Sequence, residues 1–219
     1  MVTITPFYQK RLESLSGRKV RVLTNGFDED DFKGFTPVSI EKFKILHVGI
    51  VNEKCDPKPF LIALWELIRE NTDFGQQVVL EFVGTVHQRI RDFVKARGDD
   101  HVIFTAGVPH EQLISYYASS SVLLLVLSGY KDAEGYMPGK LFEYLATGLP
   151  VLGIGPTRGD ASDLLKETGL GEMVEEKEKI KNLLLCHWKN WRTGTGPHER
   201  RGLAYSRENL TKQLVELLD

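Results

Sequence analysis

The chain has 219 residues, 42% hydrophobic and 26% charged, which excludes an intrinsically disordered protein. Lys and Arg total 28 against 30 Asp and Glu, so a net charge of -2 offers no basic excess for an electrostatic nucleic-acid binder. The longest apolar run, residues 122–127, is far short of the roughly 20 residues of a membrane-spanning helix, and residues 1–6 lack the basic and apolar regions of a signal peptide.

In chain order, Thr5-Pro6 reads as an N-cap followed by proline at the first helical position, opening a helix over 6–15. A strand stub at 2–4 and a strand at 20–24 complete a first segment too small to bury a core alone. The acidic Asp28-Glu-Asp-Asp31 and the turn-like Lys33-Gly-Phe-Thr-Pro37 predict a linker over 27–40. Beyond it, strands are expected at 43–48, 78–83, 102–105, 122–127 and 151–153. Helices are expected at 57–71, 87–96, 110–118, 139–147, 161–168, 176–191 and 199–218. Residues 122–127 are apolar at every position, as in a strand covered on both faces. Gly148 reads as a helix C-cap, with Pro150 blocking continuation. Leu203, Arg207, Leu210, Leu214 and Leu217 or Leu218 give the last helix one apolar stripe. Alternating strands and helices predict an α/β fold, a parallel sheet with helices on both faces.

Gly135-Tyr-Met-Pro-Gly-Lys140 fails the phosphate-loop pattern of nucleoside triphosphatases, because three residues separate the glycines and Leu141 follows the lysine. The physics of an anion site survives: the loop follows a buried strand and opens a helix, whose free N–H groups and positive dipole end point outward. Gly139 permits close approach there. Glu143 lies on the same helix face as Lys140, about one turn or roughly 5 Å further along. A phosphate at the helix start with a ribose one turn on would suit this spacing. A surface ion pair suits it too, and spacing alone favours the surface pair. Lys54, in the loop after Gly49, is on spacing alone one more exposed lysine. Gly153-Ile-Gly155 with Gly159 is a strand-to-helix turn capped by Asp160 rather than a dinucleotide fingerprint, since the third glycine falls one residue late. The six histidines show no metal-ligand spacing and read as structural. Trp188 and Trp191 read as a core-facing stripe, and Cys55 as a buried cysteine. Neither Cys55 nor Cys186 fits a metal or redox spacing, so a reduced, cytoplasmic protein is the default.

One stretch is specific. Pro138-Gly-Lys-Leu-Phe-Glu-Tyr-Leu-Ala-Thr-Gly-Leu-Pro-Val151 resembles the donor-binding signature of GT-B glycosyltransferases of the family four, or group 1, type. His47-Val-Gly49 with Lys54 resembles that family's first glycine loop and phosphate-contacting base. Phe82-Val-Gly84 resembles its second strand end, and Thr105-Ala-Gly-Val-Pro-His-Glu111 the loop that meets the nucleobase. Val22-Leu-Thr-Asn-Gly-Phe-Asp28 is similar to its hinge, and Gly159-Asp160 to its turn near the donor sugar. The resemblance covers essentially the whole chain. It implies a Rossmann-like fold, one half of a GT-B enzyme.

The resemblance also implies roles. Glu143 would hold the ribose hydroxyls. Lys54, with Pro138, Gly139, Lys140 and Leu141 at the helix start, would neutralise the diphosphate, while Gly49 gives it room. Gly107, Val108 and Pro109 would read the base. The reaction implied is sugar transfer from a nucleotide donor, UDP- or GDP-linked, to an acceptor hydroxyl, with retention and without a metal or other cofactor. Two positions depart from the family pattern. Gly135 stands where a sugar-contacting glutamate is expected, leaving Glu134 as the nearest acid, and Ile50 replaces an arginine after Gly49. Lys54 and Glu134 are thus the candidate catalytic residues.

Residues 1–26 resemble the end of an absent acceptor-binding first half, 27–40 the linker, and 41–219 the donor-binding domain with a C-terminal crossing helix. Such a chain is expected to turn over poorly alone, and to expose an apolar face that the first half or a second copy covers. A full-length protein would work in the cytoplasm or at the inner-membrane surface. The alternatives are a nucleotide-sugar epimerase or phosphorylase on the same fold, and a non-catalytic nucleotide-binding or assembly module.

Overall fold

A computed structural model describes residues 1–127, 131–194 and 202–218. A small parallel pair, β1 (Val2–Thr3) and β2 (Arg21–Val22), flanks helix α1 (Pro6–Ser16). The main body follows as β3 (Phe43–Val48), α2 (Lys58–Glu70), α3 (Thr72–Gln77), β4 (Val78–Val83), α4 (Gln88–Lys95), β5 (Val102–Thr105), α5 (His110–Ala118) and β6 (Val122–Val126). It continues with α6 (Gly139–Thr147), β7 (Val151–Ile154), α7 (Asp160–Thr168), β8 (Gly171–Val174), α8 (Lys177–Thr193) and α9 (Arg207–Leu218). The six strands from β3 to β8 form one parallel sheet in the order β5-β4-β3-β6-β7-β8. That is a doubly wound sheet whose direction of travel reverses between β3 and β6.

Alternation along the strands divides the core in two. Phe43 and Ile45 of β3, with Val122 and Leu124 of β6, pack beneath α2, α3 and α8. Leu46 and Val48, with Leu123 and Leu125, pack beneath α5, α6 and α7 on the opposite face. Trp188 lies in the first cluster, as its spacing predicts, and its Nε1 donates to Gln77 Oε1 at 2.9 Å.

Three elements differ from the sequence reading. The expected helix 57–71 ends at Glu70 because Asn71 is extended, and the Asn71 side chain accepts from the Phe74 N–H to start α3. Strand β8 was not anticipated: Gly171 and Glu172 break its apolar pattern, yet Gly171 is needed where a Cβ would collide with the Val151 carbonyl. The C-terminal helix starts only at Arg207. Leu203 belongs to a separate 3-10 turn, Leu203–Tyr205, and Ser206 Oγ accepts from the Asn209 N–H at the start of α9. Residues 199–201 of the expected helix lie outside the described residues.

The first segment is docked on the domain. Thr5 caps α1 as expected, accepting from the Tyr8 N–H, while Asp160 Oδ2 accepts from the Phe7 N–H at 3.0 Å. Asp160, expected to cap its own helix, is instead the first residue of α7 and caps α1. Phe7 also lies against Gly135, where a Cβ would collide with its ring. The stretch expected as a linker is held down by Phe27, Phe32 and Phe35, all buried in the second cluster. It pairs with the C-terminal crossing: the Phe27 N–H donates to Tyr205 O at 3.2 Å and the Arg207 N–H to Phe27 O at 2.9 Å. No residue of α9 is buried, and Leu214, Val215, Leu217 and Leu218 are exposed. No helix among the described residues is long and apolar enough to cross a membrane.

Candidate functional site

In doubly wound sheets, ligands bind outside the carboxyl ends of the strands at the reversal point. Here the reversal point is physically open. The β3–β4 ladder runs to Val48–Val83 and the β6–β7 ladder to Val126–Ile154, but β3 and β6 pair only at Ile45–Val122 and Leu46–Leu123. Past that register the two central strands part. Side chains take up the backbone groups left in the gap, as buried polar groups require. His47 Nδ1 lies 2.9 Å from Leu124 O. The Tyr144 hydroxyl accepts from the Val48 N–H at 3.1 Å and faces Leu124 O at 3.4 Å. The Cys55 thiol donates to Val126 O at 3.3 Å. Burial pushes the Cys55 pKa up to about 11, so it is the inert buried thiol that the sequence suggested.

Lys140, at the second position of α6, reaches into this gap. Its Nζ lies 3.3 Å from His47 Nε2 and 3.3 Å from where a Cβ on Gly49 would stand. Among the described residues it forms no ion pair. Burial holds its pKa below the usual lysine value. Among the described residues no side chain caps α6; the Leu141 N–H donates to Pro138 O at 3.0 Å, and a Cβ on Gly139 would meet nothing within 4 Å. The strand ends opposite are built for close approach. Gly49 and Gly84 have φ of 107° and 130°, and a Cβ on Gly84 would collide with the Gly49 carbonyl. Gly107, at the end of β5, stands beside Gly84 in turn.

Glu143, partly buried one turn along α6, accepts from the Tyr117 hydroxyl at 2.7 Å through Oε2. Both tyrosine pKa values, of Tyr117 and Tyr144, are raised chiefly by burial, so both hydroxyls stay protonated. Glu143 is therefore not the surface partner of Lys140 that spacing alone favoured. Val108 packs on the second core cluster and Pro109 precedes α5. His110, which opens α5, pairs with Asp31 at 2.9 Å, and its pKa is raised chiefly by that hydrogen bond.

The structure thus brings together Gly49, Lys140, Pro138, Gly139, Leu141 and Glu143. Of the residues expected to read the base, Gly107 stands beside Gly84, Val108 packs on the second core cluster and Pro109 precedes α5. Lys54 is exposed in a loop fixed by Asn52, whose Oδ1 accepts from the Lys54 and Cys55 N–H groups at 2.9 and 3.0 Å. Glu134 stands exposed in the 3-10 turn Ala133–Gly135, its backbone packed against Gly159. Tyr117, Tyr144 and His47 were missed as site residues. Their contacts span 26, 96 and 77 positions, and no local spacing signals such pairs.

His47 is fully buried, and burial followed by the Lys140 charge pushes its pKa well below the usual imidazole value. The folded chain then binds fewer protons than the unfolded one below pH about 6.5, so stability falls as pH drops through that range. Urea unfolding between pH 7.5 and 5 is expected to show wild type losing about 2 kcal/mol more than His47→Phe. Parallel curves for the two proteins would show that His47 titrates alike in the folded and unfolded chain and would overturn this expectation. His187, lowered by burial, and His110, raised, act alike in both proteins.

An open helix start, an ammonium and a carboxylate stand at the reversal point of a doubly wound, Rossmann-like sheet, the place where such folds take anionic ligands. The family model described as Glycosyl transferases group 1 matches residues 42–189, and the chain belongs to that family. No curated protein sequence matches the chain. Among solved structures, WaaG, a glycosyltransferase involved in lipopolysaccharide biosynthesis, is 16% identical with a TM-score of 0.73, over 99% of this chain and 61% of that one. Sucrose-phosphate synthase from Thermosynechococcus elongatus is 18% identical with a TM-score of 0.71, over 99% of this chain and 57% of that one. The pneumococcal O-GlcNAc transferase GtfA, in complex with UDP and GlcNAc, is 12% identical with a TM-score of 0.67, over 99% of this chain and 44% of that one. The chain therefore spans about half the length of these enzymes and corresponds to one half of the GT-B fold.

Proposed function

We propose that the chain is the donor-binding half of a glycosyltransferase that moves a sugar from a nucleoside diphosphate to an acceptor hydroxyl, with retention and without a metal. The observation that carries the reading is the approach to Gly49 of the Lys140 ammonium, which has no ion pair among the described residues and projects from the start of α6, with Glu143 one turn beyond. The β-phosphate would sit between Lys140 and the α6 N–H groups, with Lys54 as a second cation. The ribose would lie on Glu143, which has one oxygen engaged by Tyr117 and one left over. The base would meet Gly107, Val108 and Pro109. In transfer, the bond from the sugar C1 to the β-phosphate oxygen breaks, C1 bonds to the acceptor oxygen, and the acceptor proton passes to the departing phosphate oxygen. Charge develops on the departing diphosphate, where fixed donors act without reorganising. Glu134 would contact the donor sugar from the turn packed on Gly159.

A first half that binds the acceptor belongs to the same reading. It would cover the exposed residues of α9 and of the first segment, including Val2 and Ile4, and without it turnover would be poor. A second copy of the chain is the other candidate for that face. The reaction would take place in the cytoplasm or at the inner-membrane surface, in polysaccharide assembly.

Titration calorimetry of the chain with UDP, GDP and ADP tests the reading. One of the three is expected to bind with a dissociation constant below about 1 mM, an affinity above 4 kcal/mol. If none binds at millimolar concentration, the reading falls.

A further inference from the structure

Lys140 sits on the helical side of the sheet that carries α5, α6 and α7, yet its Nζ contacts a histidine on a central strand. The orientation of that histidine is dictated by the backbone. Leu124 O can only accept, so His47 Nδ1 carries the hydrogen. In the neutral ring Nε2 is then a bare acceptor, and it points at the Lys140 ammonium 3.3 Å away. Among the described residues, Glu143 and Tyr144 of α6 and Cys55 of the β3–α2 loop are the other titratable groups that act on His47 or Lys140 or on each other around this point. None of them forms an ion pair with Lys140. A lysine has a flexible four-carbon stem and a compact, strongly hydrated charge, so without an acceptor it would turn toward solvent.

We propose that His47 is a positioning residue: its bare Nε2, fixed by the Leu124 carbonyl in the gap between β3 and β6, keeps the Lys140 ammonium aimed at the Gly49 cradle, where the β-phosphate of a nucleoside diphosphate binds. A neutral acceptor suits this task better than a carboxylate. It orders the ammonium without cancelling its charge, so the cation is prepaid in position and remains available to an incoming anion. The usual acid partner would compete with the phosphate. The ring also packs obliquely on Phe82, centroids 5.6 Å apart.

This inference rests on the donor-site reading above, and the experiment separates the two. Binding of UDP, GDP and ADP is measured for wild type, His47→Phe, His47→Gln, Lys140→Met and the His47→Phe/Lys140→Met double variant, by calorimetry and by NMR titration into the millimolar range. Phenylalanine keeps the ring packing without an acceptor, and glutamine restores an acceptor oxygen. Thermal melting checks that each variant is folded. For the nucleotide that wild type binds best, His47→Phe is expected to bind about tenfold more weakly, the scale of one hydrogen bond to a charged group. His47→Gln should recover to within about threefold, and His47→Phe should add less than about twofold on the Lys140→Met background. If wild type binds and folded His47→Phe binds as tightly, the positioning role is overturned while the donor site stands. Equal losses with and without Lys140 would overturn it as well, because the effect would then not run through the lysine. If wild type binds no nucleotide, the donor-site reading itself fails and this role falls with it.

Discussion

Glu143→Ala is expected to weaken binding of the preferred nucleoside diphosphate about 100-fold, the scale of two hydrogen bonds to a charged acceptor. The same change should lower stability by about 1–2 kcal/mol, because the fully buried Tyr117 loses the acceptor of its hydroxyl at 2.7 Å. The two effects can be separated. Tyr117→Phe removes the buried hydroxyl and its partner requirement together, so it should cost little stability and leave nucleotide affinity within about threefold. Glu143→Gln keeps an acceptor for Tyr117 but loses the charge, and should be stable with an intermediate affinity. Calorimetry and urea unfolding on the three variants check both halves of the prediction. An unchanged affinity in Glu143→Ala would remove the ribose from this position.

Lys140→Met should have an effect of similar size on affinity and the opposite sign on stability. The methionine stem matches the buried part of the lysine, while the ammonium, partly desolvated and without an acidic partner among the described residues, is gone. A desolvated cation held for a ligand is a cost to the empty protein. The folded-state pKa lies below the unfolded value, so the penalty is present at neutral pH and fades only as pH rises through the folded pKa. The variant should therefore melt at a higher temperature than wild type at pH 7, and the gap should narrow toward pH 10. Nucleoside diphosphate binding should fall about 100-fold, the loss of a charge-assisted contact to phosphate. A lower melting temperature with unchanged affinity would make Lys140 a structural residue.

The sheet was largely legible in the sequence because its strands are nearly continuous runs of Val, Ile, Leu and Phe between glycines. The edge strand β8 was not, because Gly171 and Glu172 give it no such run. The helix start at Gly139 was legible from the loop before it, and the family resemblance supplied the role proposed for Glu143. What no periodicity could show is the parting of β3 from β6. It depends on where two distant ladders stop. It turns His47 and Tyr144, ordinary in sequence, into the groups that close the gap. The resemblance gave Lys54 and Lys140 alike to the diphosphate; the structure adds that the Lys140 ammonium lies 3.3 Å from where a Cβ on Gly49 would stand. Asp160 was misread from its place at a helix start: only the fold shows that a helix 153 positions away takes its carboxylate.

The pairing of Phe27 with Tyr205 and Arg207 has a mechanical consequence. The two strands of chain that leave the domain, one on the way in and one on the way out, are stitched together at the point of exit. Gly26 lies so close to the Tyr205 carbonyl and the Leu210 side chain that no larger residue fits between them. A pull on the first segment would thus reach the last helix directly at this seam, as well as the body of the domain through the Phe7–Asp160 contact, and Gly26 is the narrowest part of the seam.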